Sequence, residues 1–110
     1  MDNLLYFLGT KANENASSKG WDVVTPDDWN FEDGKQYKIP AKLSLIHAEV
    51  SEATEAYRKR DFENFKEELA DIVIRTVGLA KGLEIDLLAE VIMKMSKNSE
   101  RTYKHGGKVL

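Results

Sequence analysis

The stretch 61–82, DFENFKEELADIVIRTVGLAKG, decides the fold. Phe65, Leu69, Ile72, Val73, Thr76, Val77 and Ala80 recur at steps of three and four, the period of a helix that turns one face inward. Asp61 stands where an N-cap accepts from free backbone N–H groups, and Gly82 stands where a helix is expected to close. No convincing strand alternation occurs here or elsewhere in the chain.

The same period extends outward in both directions. Upstream, Pro40 suits the first turn of a helix with the stripe Leu43, Ile46, Val50, Ala53 and Tyr57, running to about Arg60. Downstream, a helix starting near Asp86 is expected to pack through Leu87, Leu88, Val91, Ile92 and Met95 and to reach about Arg101. At the far N-terminus Leu4, Leu5, Leu8, Ala12 and Ala16 follow Asp2 as N-cap, and Gly20 supplies the stop. Between Trp21 and Lys38 the period breaks down. Pro26-Asp27-Asp28 and Asp33-Gly34 are turn chemistry, and a loop this long in a small domain often lines a site. Trp29 and Phe31 are expected to pin it, and the end, Tyr103 to Lys108, reads as a basic tail. The expectation is an all-α helical bundle forming one domain over residues 1–110.

Composition narrows what such a bundle can do. The chain has 110 residues, 42% hydrophobic and 32% charged, which suits a globular protein rather than a disordered one. The absence of cysteine excludes disulfides, thiolate metal sites and a cysteine nucleophile. The net charge of −3 argues against a nucleic-acid partner. No apolar run approaches the ~18 residues of a membrane span, and the start lacks the basic region of a signal peptide, so no membrane partner and a cytoplasmic location are expected. A domain this short buries a modest share of its surface, and its apolar stripes predict a homodimer or homotetramer. Charge is uneven: residues 94–110 carry five Lys and Arg against Glu100, a net of +4, which leaves −7 on the rest. An acidic body with a basic end suits a cation held together with a polyanion, or is an ordinary solvated terminus.

Two acidic pairs carry the chemistry, Glu49/Glu52 and Glu68/Asp71, each spaced by three and so on one helical face. Three such pairs occur with Glu52/Glu55 included, about what chance allows, so their place matters more than their spacing. Both lie at the edge of an apolar stripe, where carboxylates repel one another and lose solvation unless a positive group joins them. A hard divalent ion, Mg²⁺ or Mn²⁺, answers that need, and so does pairing with Arg75 one turn beyond Asp71. Di-iron chemistry is disfavoured because no Glu-x-x-His motif is present. Lys94, Asn98 and Arg101 fall at i, i+4 and i+7 on one face, a stripe suited to phosphate oxygens or a solvated helix end.

In combination these segments resemble the MazG-like all-α nucleoside triphosphate pyrophosphohydrolases. The resemblance rests on Ala48-Glu49-Val50-Ser51-Glu52, on Glu68-Leu69-Ala70-Asp71, on the Lys/Asn-bearing run from Lys94 to Arg101, and on the ending Thr102 to Lys108. It implies Glu49, Glu52, Glu68 and Asp71 as Mg²⁺ ligands (Mn²⁺ also fitting), and Lys94, Asn98 and Arg101 as holders of the phosphates. Glu49, Glu52 and Lys94 would then be the catalytic groups. It further implies hydrolysis of a nucleoside triphosphate to a monophosphate and pyrophosphate, as in nucleotide-pool cleaning. Ala48 departs from the pattern, because the family often has a first Glu there. The small residue resembles the branch similar to dCTP pyrophosphatases, and it puts a second metal and the usual general base in question.

Several residues keep two readings. His47 either touches the nucleotide or is structural; Trp21 and Trp29 either stack on a base or anchor the loop; Tyr103 either closes over the sugar or packs on the helix end. A relative acting on phosphoribosyl-ATP and a non-catalytic helical regulator are the alternative functions.

Overall fold

Asp61 and Asp86 do what their positions in the sequence suggest. In the computed structural model, which describes residues 2–30 and 37–101, Asp61 Oδ1 accepts from Asn64 N–H at 3.1 Å and Asp86 Oδ1 from Ala89 N–H at 3.2 Å. They start α3 (Phe62–Gly82) and α4 (Leu87–Ser99); α1 (Leu4–Ser18) and α2 (Lys38–Arg58) precede them, with a 3-10 turn at Pro26–Trp29 between these two. The described residues contain no strand, so the fold is all-α as expected. None of these helices is long and apolar enough to cross a membrane. The anchor expected at Phe31 and the tail from Tyr103 onward lie outside the described residues.

α2 and α3 form an antiparallel hairpin, and α1 packs along α3. The hairpin turns in three residues. Arg60 N–H reaches Tyr57 O at 3.0 Å and Asp61 N–H reaches Ala56 O at 2.9 Å, a Schellman closure with Arg60 at φ 57°. The close of α3 corrects the sequence reading. Ile85 N–H bonds Ala80 O and Glu84 N–H bonds Lys81 O, so Glu84, at φ 58°, is the left-handed residue rather than Gly82. Gly82 stays helical, and what it supplies is space: an added Cβ would collide with the Val24 carbonyl. Gly20, at φ 85°, ends α1 as expected.

α1 begins one residue later than expected. Its cap is Asn3, not Asp2: Asn3 Oδ1 accepts from Tyr6 N–H at 3.0 Å, while Asn3 Nδ2 donates to Asp86 Oδ1 at 3.3 Å. That bond joins the caps of α1 and α4. The packing face of α1 runs through Leu5, Gly9, Ala12 and Ala16, leaving Leu4 and Leu8 exposed.

The buried hydrophobic residues are small, namely Val24, Ala53, Ala56, Val77 and Ala80. Small side chains let α2 approach α3 closely, and they leave much of each expected stripe uncovered. Leu43, Val50 and Tyr57 on α2 and Leu69 and Val73 on α3 are all more than a third exposed. On α4 only the first turn is half-buried; Val91, Ile92 and Met95, expected in the core, are exposed. The Cα radius of gyration, 16.5 Å, exceeds the about 13 Å of a compact domain this long. Trp21 and Trp29 are 70% and 64% exposed, so neither is the buried anchor of the loop. Asp28 does that work: its Oδ2 accepts from Thr25 N–H at 2.7 Å and meets Lys38 Nζ at 3.5 Å.

Candidate metal centre

The centre sits in the seam of the α2–α3 hairpin, where Glu49 faces the row Glu68, Asp71 and Arg75. Glu68, Asp71 and Arg75 follow one another at steps of three and four, so α3 stacks them along one face. A carboxylate oxygen from each of Glu49, Glu68 and Asp71 lies within 4.8 Å of the others. Glu49 and Glu68 are buried, and Asp71 is more exposed.

Arg75 partly neutralises the group. Its Nε donates to Glu49 Oε1 at 3.1 Å, so the pairing weighed from sequence is present beside the cluster rather than in place of it. With both carboxylates ionised, Glu49 Oε2 and Glu68 Oε2 are buried with no hydrogen-bond partner. Buried polar atoms in folded proteins are almost always satisfied, so two orphaned carboxylate oxygens in one cluster mark a site short of a positive group.

The titration of the pair expresses the same shortage. Glu68 is pushed up to about 7, first by a hydrogen bond to Glu49 that needs its proton, then by burial and by the charge of Glu52. Burial acts to raise Glu49 too, but bonds from protonated Glu68 and from Arg75 outweigh it and hold the Glu49 carboxyl below its usual range. Without a cation, therefore, Glu49 is ionised and Glu68 keeps a proton well above the usual carboxylate range.

The donor set fits a hard divalent ion. Three carboxylates offer only oxygen, and oxygens around Mg²⁺ at about 2.1 Å lie roughly 3–4.2 Å apart, close to the span of this set. Glu52, expected as a fourth ligand, stands outside the tight group but near enough to Glu68 to raise it. With Glu68 it lines an open cavity of about 310 Å³, together with Lys59 and Asn64.

Among the described residues, none of the other expected ones bonds to this cluster. Lys94 and Asn98 lie on the exposed stretch of α4, and Arg101 lies beyond it because the helix ends at Ser99, short of the expected reach; none of the three makes a side-chain bond to the cluster. His47 is exposed and two residues from Glu49, a spacing that places it on another face of α2. Trp21 is exposed before the 3-10 turn, and Tyr103 lies outside the described residues. Two basic residues that line one cavity beside α3 carried little or no weight in the sequence. Arg75 was legible only as a counter-ion, and Lys42, two helical turns before Glu49, had no signal beyond that spacing.

Three carboxylates facing one another across two antiparallel helices form a cluster with the chemistry of an oxygen-only cation site. The chain belongs to the MazG family: the model of the MazG nucleotide pyrophosphohydrolase domain matches residues 40–106, a span holding α3, α4 and all but the first two residues of α2. Neither curated proteins nor solved structures give a match.

Proposed function

We propose that the chain hydrolyses nucleoside triphosphates between the α and β phosphates, releasing a monophosphate and pyrophosphate, with Mg²⁺ (or Mn²⁺) at the seam. The observation that carries this reading is the pair of buried, unpartnered oxygens of Glu49 and Glu68 beside Asp71, inside the span the family matches. Glu49, Glu68 and Asp71 are the ligands. When bound, the ion supplies charge neutralisation to the phosphate oxygens. Glu52 borders both the cluster and the open cavity, and we assign it to orienting the attacking water and receiving its proton. Arg75 keeps Glu49 ionised by holding Oε1. The role fits removal of unwanted nucleotides from the pool.

Lys94, Asn98 and Arg101 enter this reading through association. The exposed Val91, Ile92, Met93 and Met95 of α4 and the exposed Leu43, Leu45 and Val50 of α2 support a homodimer or homotetramer. In it, the polar stripe of one copy's α4 serves the seam of another.

The test is a panel of ribo- and deoxynucleoside triphosphates with Mg²⁺, including phosphoribosyl-ATP, read by separating monophosphate and pyrophosphate from free phosphate. Monophosphate and pyrophosphate should appear together and vanish with a chelator. Asp71→Asn should cut turnover about 10³-fold or more, the scale of several kcal/mol of lost charge stabilisation. Release of free phosphate and a nucleoside diphosphate, or wild-type rates in Asp71→Asn, would contradict the assignment.

A further inference from the structure

Arg75 lies between two spaces. On one side it binds Glu49 in the seam; on the other it lines a cavity of about 120 Å³ enclosed by α1, the segment 22–24, α2 and α3. The wall carries a second cation, Lys42, and the amide of Asn13. Both cations keep donors to spare. The guanidinium has five N–H groups, and only its Nε is engaged among the described residues. Lys42 Nζ donates to the Asp22 carbonyl at 2.9 Å, a bond that places the ammonium at the cavity and leaves its other hydrogens unused.

The seam needs such cations. A triphosphate brought to three carboxylates meets like charge, and the Lys94–Arg101 stripe of the same chain makes no ion pair with the cluster. Lys42 and Arg75 are the basic residues that line this cavity, and Arg75 ties it to the seam through Glu49. Asp22 adds a carboxylate to the lining, and it is exposed, so water screens it.

We propose that Lys42 and Arg75 form an anion subsite for the phosphate chain of the nucleotide, with Arg75 bridging that chain to the metal ligand Glu49. The inference rests on the triphosphate reading above and adds the residues that take the phosphates. The two cations have separable duties. Lys42 touches no carboxylate of the cluster, so it acts on the substrate alone. Arg75 acts on both, because it also holds Glu49.

The experiment measures binding of non-hydrolysable α,β-imido nucleoside triphosphates with Mg²⁺ by calorimetry, and of Mn²⁺ alone by electron paramagnetic resonance. Wild type, Lys42→Met, Lys42→Arg and Arg75→Lys are compared, with helicity checked by circular dichroism. Lys42→Met should lose analogue affinity roughly ten- to a hundred-fold while Mn²⁺ affinity stays within about twofold. Lys42→Arg, which keeps the charge, should recover most of that loss. Arg75→Lys should weaken both ligands. If wild type binds an analogue and Lys42→Met or Lys42→Arg fails to follow this pattern, the subsite is wrong and the triphosphate reading stands. If wild type binds no analogue of the panel, the triphosphate reading falls first and the subsite with it.

Discussion

The α2–α3 hairpin and α4 invert the ordinary rule of burial in opposite ways. The hairpin buries Glu49 and Glu68, whereas α4 leaves Val91, Ile92, Met93 and Met95 in water. A buried carboxylate is tolerated when something positive joins it, and an exposed apolar row when something apolar covers it. The two regions therefore lack different things. The hairpin gathers carboxylates that call for positive charge; α4 presents an apolar row that calls for a cover.

The largest expected effect breaks the α4 side of that contrast. Ile92→Glu places a charge in the exposed apolar row, and sedimentation should show the assembly dissociating to monomer. A wild-type monomer at micromolar concentration would remove the association reading altogether. With the assembly intact, Lys94→Ala should lower kcat/KM about ten- to a hundred-fold, because a charge-assisted phosphate contact is worth about 1.5–3 kcal/mol. Mixing Lys94→Ala with Asp71→Asn sharpens the point. If each seam uses the α4 of another copy, the mixture regains activity that neither variant has. No recovery after subunit exchange places Lys94 with the seam of its own chain or outside the site.

A smaller effect belongs to the hairpin. Glu68 titrates near 7 in the folded chain, above its ordinary 4.5. A raised carboxylate pKa means that the fold binds this proton more tightly than the unfolded chain does. The resulting stability is fully present below about 4.5 and is lost as pH rises through about 7. Metal-free protein should therefore lose Tm across that window, and Glu68→Gln, which cannot ionise, should not show this loss. A divalent cation should reverse the slope, since binding competes with the Glu68 proton and tightens as it leaves. Identical slopes in wild type and Glu68→Gln would mean that the two buried carboxylates do not share a proton.

How legible all this was in the sequence follows from the range of the interactions involved. Helix starts depend on one side chain and its own backbone, so Asp61 and Asp86 could be read directly. Helix ends were harder, because Glu84 takes the left-handed position without being glycine, while Gly82 answers to the Val24 carbonyl from a distant segment. The Glu49, Glu68 and Asp71 cluster was visible because helical spacing fixes which residues share a face. Which half of each apolar stripe would be buried was not visible. Leu43 and Ile46 fit the same pattern, and only the approach of α3 separates them. The trp-bearing loop misled for a related reason: Trp29 carries the size of an anchor, but the small Asp28 beside it makes the inward bonds. Lys42 and Arg75 meet at one cavity through contacts among three helices, which no local pattern records.

The central claim is that the buried carboxylates of the hairpin hold a divalent cation, and Mn²⁺ titration of the chelator-treated protein tests it most directly. Free Mn²⁺ is followed by electron paramagnetic resonance near pH 8, where Glu68 has lost its proton, in wild type and in Asp71→Asn. The account predicts saturable binding in wild type, competed by Mg²⁺ and weakened at least about tenfold in Asp71→Asn, with helicity unchanged. Undiminished binding in Asp71→Asn, or no saturable binding in wild type up to millimolar Mn²⁺, would contradict it.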